Sequence, residues 1–256
     1  YTTLFRSRVK YSDMTIRRKT GAANRKVQKL MNLMNMETVH VAWDFLKENG
    51  LKALILKSKH KIQGIDDDYD YAEWWNLTKP SEEELEEQKK KTFGYMPKFS
   101  IVIPVYKTPE KFLKEMLDSI VEQTYANWEL CIADGSPAGE SVENVLKKYA
   151  EKDARIRYQV LGENRGISGN TNVALEMAEG DFIVLADHDD RLTPNALFEC
   201  AKKLNENENC DVLYSDEDKL DMDGDELFDP HFKPDFNPDL LTSVNYICHL
   251  FVVKKE

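Results

Sequence analysis

Up to about residue 92 the apolar positions recur at helical spacing. Val27, Leu30, Met31, Met34, Val41, Ala42, Phe45 and Leu46 fall at three- and four-residue steps, the period of one helix face, and Asn49-Gly50 supplies a stop signal. The stretch "LKALILKSKHKI" predicts a second short helix, "DDDYDYAEWW" reads as an irregular linker carrying aromatic anchors, and a third helix follows Pro80-Ser81. Short helices bury little core of their own. Their Met-rich and Trp-rich faces are therefore expected to pack on the rest of the chain or on a second copy of it. Trp74 and Trp75 read as locks between helices and the larger domain, with stacking on a sugar as the alternative.

From Phe99 the period changes. "FSIVIPVY" is a continuous apolar strand, followed by the helix "TPEKFLKEMLDSIVEQ", with Thr108 as N-cap and Pro109 at its first position. The stripe of that helix runs Phe112, Leu113, Met116, Leu117, Ile120, Val121. Then come strand "WELCIAD", helix "ESVENVLKKYAEK", strand "IRYQVL", helix "GNTNVALEMAEG", strand "DFIVLAD", helix "PNALFECAKKLNE" and strand "DVLYSDED". Strands apolar throughout, alternating with helices, predict an α/β domain with a mainly parallel sheet and helices on both faces. The expected organisation is a helical domain over 1–92 and an α/β domain over 93–256. In such sheets ligands sit in the crevice beyond the carboxyl ends of the strands.

Charge separates the same two parts. Residues 1–92 carry 18 Lys/Arg against 14 Asp/Glu, whereas residues 93–256 carry 17 against 32. An acidic larger part excludes nucleic acid as a partner, since phosphate backbones need concentrated Lys/Arg. The basic opening, "YTTLFRSRVKYSDMTIRRKTGAANRKVQKL", reads as a solvated tail, or else as a surface for an acidic chain or a membrane, whose contact would be peripheral. Cys131, Cys200, Cys210 and Cys248 sit among apolar residues without metal spacing and read as reduced core thiols of a cytoplasmic protein. No run approaches the about 20 apolar residues that cross a bilayer, and no signal peptide opens the chain. The first residue is Tyr, so a longer protein is expected around this sequence.

Three stretches at predicted strand ends could carry chemistry. The most telling is "LADHDD". In extended backbone, residues two apart point the same way, so Asp187 and Asp189 share a face while His188 points elsewhere. Paired carboxylates at a strand end are costly unless solvated or bridged by a cation, and oxygen ligands of this kind suit Mg²⁺ or Mn²⁺. Asp190 reads more simply as part of an acidic loop in which it or Thr193 caps a helix beginning at Pro194. The others are "ADGS", by itself a common turn, and "VIPVY", which no Gly-rich dinucleotide cradle or Walker A motif follows.

As an ordered set, "SIVIPVYKTPEKFLKEMLDSIVEQTYANWELCIADGS", "NRGISGNTNVALEMAEGDFIVLADHDDRLTPNAL", "YSDEDK" and "HFKPDFNPDLLTSVNYICHL" resemble family 2 of the inverting glycosyltransferases, over roughly residues 97–253. The last two segments look most like the branch that builds bacterial surface polysaccharides and glycoprotein glycans, including the two-domain enzymes of streptococcal serine-rich adhesin glycosylation. The resemblance implies a GT-A fold, a UDP-sugar donor and a Mn²⁺ or Mg²⁺ cofactor. It implies that Pro104, Val105 and Tyr106 line the nucleobase pocket and that Asp134 hydrogen-bonds the uracil or its ribose. Arg165 and Gly166 would lie in the loop over the nucleotide, with Asn172 on the following helix. Asp187-His188-Asp189 would be the DXD motif, catalytic and metal-binding through Asp187 and Asp189, with Asp189 the direct ligand.

The family's usual base is expected beyond Glu256. Asp216, Glu217 and Asp218 are the nearer candidates, and their plainer reading is a strand end entering a hairpin turned at Asp223-Gly224. His231 and His249 flank the region facing acceptor and diphosphate, where the plainer reading of each is structural. The function expected is transfer of a sugar, N-acetylglucosamine or glucose favoured, from a UDP donor to a glycan on a surface glycoprotein or polysaccharide. The helical segment would serve self-association or acceptor recruitment. A nucleotidyltransferase lacks support, since "PVYKTPEKF" has neither the Gly-rich nor the Arg-containing loop. A non-catalytic nucleotide-sugar-binding or scaffold module is the alternative.

Overall fold

A computed structural model describes Thr2–Leu4 and residues 71–255, apart from Asp223, Asp225 and Glu226. The helical face expected at 27–46, its stop signal and the second helix lie outside the described residues. The elements are β1 (Thr2–Leu4), α1 (Tyr71–Thr78), α2 (Glu82–Lys90), β2 (Phe99–Val105), α3 (Glu110–Val121), β3 (Trp128–Asp134), α4 (Glu143–Lys152), β4 (Ile156–Val160), α5 (Gly166–Glu176), β5 (Phe182–Leu185), β6 (Arg191–Leu192), α6 (Ala196–Glu206), β7 (Val212–Tyr214), β8 (Glu217–Leu220), β9 (Leu227–His231), α7 (Pro238–Ser243) and β10 (Phe251–Lys254).

The main sheet runs β4-β3-β2-β5-β10-β7. Neighbouring pairs among β4, β3, β2 and β5 are parallel. Alternation along β2 explains why its sequence is apolar without a break. Phe99, Ile101, Ile103 and Val105 pack in one cluster with Leu113, Met116, Leu117 and Ile120 of α3, Leu146 of α4 and Leu197 of α6. Val102 turns to the opposite face and meets Val173 and Ala174 of α5. Both faces of the strand are thus covered, which is the α/β architecture the pattern predicts.

Several local expectations shift. The N-cap of α3 is Pro109, without a side-chain capping bond, rather than Thr108. Lys107 takes a positive φ of 51° just before it, and this bend turns the Thr108 side chain into the interior. The helix after "RLTP" starts at Ala196 with N-cap Asn195, so Asp190 does not cap it. The stretch "YAEWW" is helical in α1 rather than irregular. Its aromatics do act as locks: Tyr71 donates its hydroxyl proton to Asp218, and Trp74 meets Phe232 edge-on at 5.4 Å. The helix expected after Pro80-Ser81 is α2, opened by a capping box between Ser81 and Glu84.

"DVLYSDED" divides in two. β7 joins the main sheet beside β10, while β8 leaves for a second sheet of order β6-β1-β8-β9. β8 and β9 form the expected hairpin, with Gly224 at φ +85° in its turn. Periodicity did not reveal β1, which lies in the opening read as a solvated tail and pairs with β6 and β8, nor β6, nor β10, which runs antiparallel between β5 and β7. Cys131 and Cys200 are buried, Cys210 is half-buried, and Cys248, against the reading of a core thiol, is exposed. Among the described residues no helix is long and apolar enough to cross a membrane.

At the amino-terminal edge of the main sheet, Glu129 is 4% exposed yet carries a charge. It accepts from Lys98 Nζ at 2.6 Å, Ser100 Oγ at 2.6 Å and Arg157 Nη2 at 2.8 Å, and from the backbone N–H of Glu179. Burial pushes its carboxyl upward, but the bonds from Lys98, Ser100 and the Glu179 backbone outweigh it and hold the pKa at about 2.

Candidate active site

The parallel register brings three strand ends to one level: Val105 lies beside Asp134, and Asp134 beside Val160. The chain steps outward from β2 through β3 to β4, then returns to the other side of β2 as β5. At such a reversal, beyond the carboxyl ends of the strands, sheets of this kind receive their ligands. Tyr106 is 40% exposed there, whereas the Val105 side chain is fully buried. The Val105 carbonyl is taken by the Gly135 N–H at 2.9 Å, and the Lys107 N–H donates to Ser136 Oγ at 2.8 Å. A Lys107–Glu140 ion pair of 2.9 Å closes the same two loops from outside.

Asp134 is fully buried beneath this wall. Its carboxylate accepts from the Ser136 N–H at 2.9 Å, Ser141 Oγ at 2.7 Å and the Val142 N–H at 3.3 Å. A carboxylate has about four acceptor positions, so most of this one is committed to shaping the loop at 136–142.

The loop before α5 is organised by Asn170, which the sequence reading passed over. Its Oδ1 accepts from the Arg165 N–H at 3.1 Å and its Nδ2 donates to Asn164 Oδ1 at 3.1 Å. Asn164 Oδ1 also accepts from the N–H of Gly166, whose φ is +74°. Asn172 is exposed on the same helix. Arg165 is exposed too, with its guanidinium 3.2 Å from Glu163. Gly135 is required by Asn170, because a Cβ there would stand 2.4 Å from Asn170 Nδ2. The variant Gly135→Ala is expected to displace the asparagine and loosen the 164–166 loop. Donor KM should rise roughly tenfold, about 1.4 kcal/mol, with kcat changed less, as initial-rate kinetics would measure.

The acidic stretch lies just past β5. Pairing of β5 with β10 sets Leu185 opposite Phe251. Continued two residues beyond the ladder, that antiparallel register sets Asp187 opposite His249. The contact is made: His249 Nε2 lies 3.0 Å from Asp187 Oδ2. The hydrogen bond raises the imidazole pKa against the opposing effect of burial. The same bond holds the Asp187 carboxyl below its ordinary value. Asp190 is buried beside them, and ligand atoms of Asp187, Asp190 and His249 lie within 4.8 Å of one another. Two carboxylates and an imidazole form a donor set for a divalent cation, the imidazole favouring Mn²⁺ over Mg²⁺, with remaining positions open to ligand oxygens. Asp189 stands outside this group, its side chain 44% exposed and 3.5 Å from His188 Nδ1. The sequence reading paired Asp187 with Asp189. The structure brings Asp187 together with Asp190 and His249.

Behind this group the three carboxylates of "YSDEDK" are all engaged by the chain itself. Asp216 accepts from the Lys233 N–H at 2.6 Å, and Asp218 from Tyr71. Glu217 lies 3.1 Å from His231 Nδ1 and 3.3 Å from Lys233 Nζ, and it accepts from the His249 N–H at 3.4 Å. These contacts favour the hairpin reading of the segment over service as a base.

Residues 100–255 match the model of Glycosyl transferase family 2. The chain belongs to that family. An uncharacterized protein, y4gI, of Sinorhizobium fredii is 43% identical over 156 residues, 61% of this chain and 17% of its own length. The O-antigen biosynthesis protein RfbC of Myxococcus xanthus is 34% identical over 187 residues, 73% of this chain and 15% of that protein. The chain thus spans less than a fifth of the length of either relative. Among solved structures, S. aureus TarS in complex with UDP-GlcNAc is 31% identical, with a TM-score of 0.42, covering 46% of this chain and 33% of that one.

The family 2 match encloses every candidate site residue from Pro104 to His249. The locking residues of α1 lie ahead of it. Within this family 2 domain His249 was the hardest member to read from sequence, because its partner is fixed by a register that local pattern does not encode.

Proposed function

We propose that this family 2 domain transfers a sugar from a nucleotide diphosphate donor, UDP favoured, to a glycan acceptor. The single observation that carries the reading is the convergence of Asp187, Asp190 and His249 at the carboxyl ends of a parallel sheet. These three residues would hold the Mn²⁺ or Mg²⁺ that the family's DXD motif implies, with Asp189 of that motif beside them. A bound divalent ion stabilises the negative charge that builds on a departing diphosphate. The chain's own part is to bind and orient. Tyr106 would cover one side of the base. The loop shaped by Asp134 would form the wall beside it, and the loop tied by Asn170 would carry Arg165 and Gly166 over the nucleotide. Inversion at the sugar further needs a carboxylate to take the acceptor proton.

N-acetylglucosamine or glucose is the favoured sugar. The relative named for O-antigen biosynthesis supports a bacterial surface polysaccharide as acceptor class, and glycans of streptococcal serine-rich adhesins belong to the same reading. A user of UDP-sugars fits a cytoplasmic site. The segment over 1–92 would serve assembly or acceptor recruitment. Incubating the chain with UDP-GlcNAc and UDP-glucose, with and without Mn²⁺, tests the reading through release of UDP. Turnover that depends on the cation is expected. Absence of turnover in both conditions, with the donor still bound, would instead establish the non-catalytic module.

A further inference from the structure

Lys233 is a charged group where none would be expected. Its side chain is 1% exposed, two residues past the end of β9. A buried ammonium is costly unless its donors are matched. Here all three are. Lys233 Nζ donates to the Ile247 carbonyl at 2.6 Å and to the His249 carbonyl, and it lies 3.3 Å from Glu217 Oε2. Its backbone is fixed as well, since the N–H donates to Asp216 at 2.6 Å.

The two carbonyls flank Cys248, which takes a positive φ of 41°. Carbonyls on either side of such a bend repel each other when turned to one side, and the ammonium between them removes that repulsion. Glu217 adds a second tie through the His249 N–H at 3.4 Å. This bend delivers the His249 imidazole to Asp187, two residues beyond the β5–β10 ladder.

We propose that Lys233 is a positioning residue for cation binding. By gathering the Ile247 and His249 carbonyls it fixes the 247–249 bend, and so sets His249 against Asp187 and Asp190. The inference rests on the functional reading above for the cation. A plain counter-ion to Glu217 would be a different role, and charge removal in pairs separates the two. The variants are Lys233→Met and the double variant Lys233→Met/Glu217→Gln, in the full chain. The second keeps the interior neutral where the first leaves a buried carboxylate, and it carries the test should the single variant fail to fold.

Two measurements are made: affinity for Mn²⁺ alone, by electron paramagnetic resonance, and amide hydrogen exchange across 245–254. Loss of an outer contact to a metal ligand typically weakens metal affinity by about 10–100-fold. A loss in that range is expected in both variants, with faster exchange at 247–249 and protection retained in β10. Recovery of parental affinity and exchange in the double variant would make Lys233 a counter-ion only and overturn the inference, as would exchange at 247–249 unchanged in either variant. Should the parent itself bind no Mn²⁺, the functional reading fails while exchange alone still decides whether Lys233 fixes the bend.

Discussion

Replacing Asp187 with asparagine is expected to cut sugar transfer about 10³-fold, equivalent to about 4 kcal/mol of lost transition-state stabilisation. The thermal midpoint should change little. Asparagine keeps the shape of the side chain, and its Oδ1 can still accept the hydrogen bond from His249 Nε2, which lies 3.0 Å from the aspartate in the parent. Because the Asp187 side chain is 51% exposed, the fold gains little from its charge. What the variant removes is one of the two carboxylates that converge with His249. A −15 balance over 93–256 makes that loss harder to compensate, since the proposed diphosphate donor would meet a domain of its own sign. Initial rates at saturating Mn²⁺, beside Mn²⁺ affinity, check the outcome. Transfer within a fewfold of the parent would remove Asp187 from the reaction and take the cation reading with it.

The centre of the sheet was legible because burial on both faces forces a continuous apolar strand, as in β2 and β5, whereas the edge strand β4 carries a half-buried Arg157 and an exposed Gln159. The stripe of α3 was legible for the same reason: Leu113, Met116, Leu117 and Ile120 are all buried. Val121, at the helix end, is 39% exposed, where the period continues but the core does not. Asn170 was within reach of the sequence. It lies three and four residues before Val173 and Ala174, so it shares their buried stripe, whereas Asn172 falls off that face. The polar residue on an apolar stripe was the signal. His249, Asp190 and Lys233 gave no such signal. Their meeting depends on β10 entering the sheet antiparallel between β5 and β7, a pairing between segments far apart in the chain. The two-residue spacing that joined Asp187 to Asp189 holds in extended backbone, but the chain turns at His188-Asp189, with the Asp190 N–H reaching the Asp187 carbonyl at 3.4 Å.

The second large effect concerns the opposite edge of the sheet. Glu129→Gln is expected to destabilise the protein by about 3 kcal/mol, lowering its thermal midpoint by roughly 6–12 °C. The magnitude follows from a carboxyl lowered from 4.5 to about 2 while 4% exposed. A glutamine has one acceptor oxygen where the carboxylate has two, so donors from Lys98, Ser100, Arg157 and the Glu179 backbone cannot all be satisfied. The sign of the pH dependence follows from the depressed value. The charged form is favoured by the fold, so the contribution is complete above the ordinary value of 4.5 and is lost as pH falls through about 2. Parent and variant should therefore differ most near neutrality and converge in acid, as denaturant titrations at a series of pH values would show. Transfer by the folded variant should match the parent, because Glu129 and Asp134 stand at opposite ends of β3, about 16 Å apart along the strand. Equal stability of the two proteins at neutral pH would mean that Lys98 and Arg157, both about one-third exposed, already satisfy themselves in water and that the ion pairs contribute nothing net.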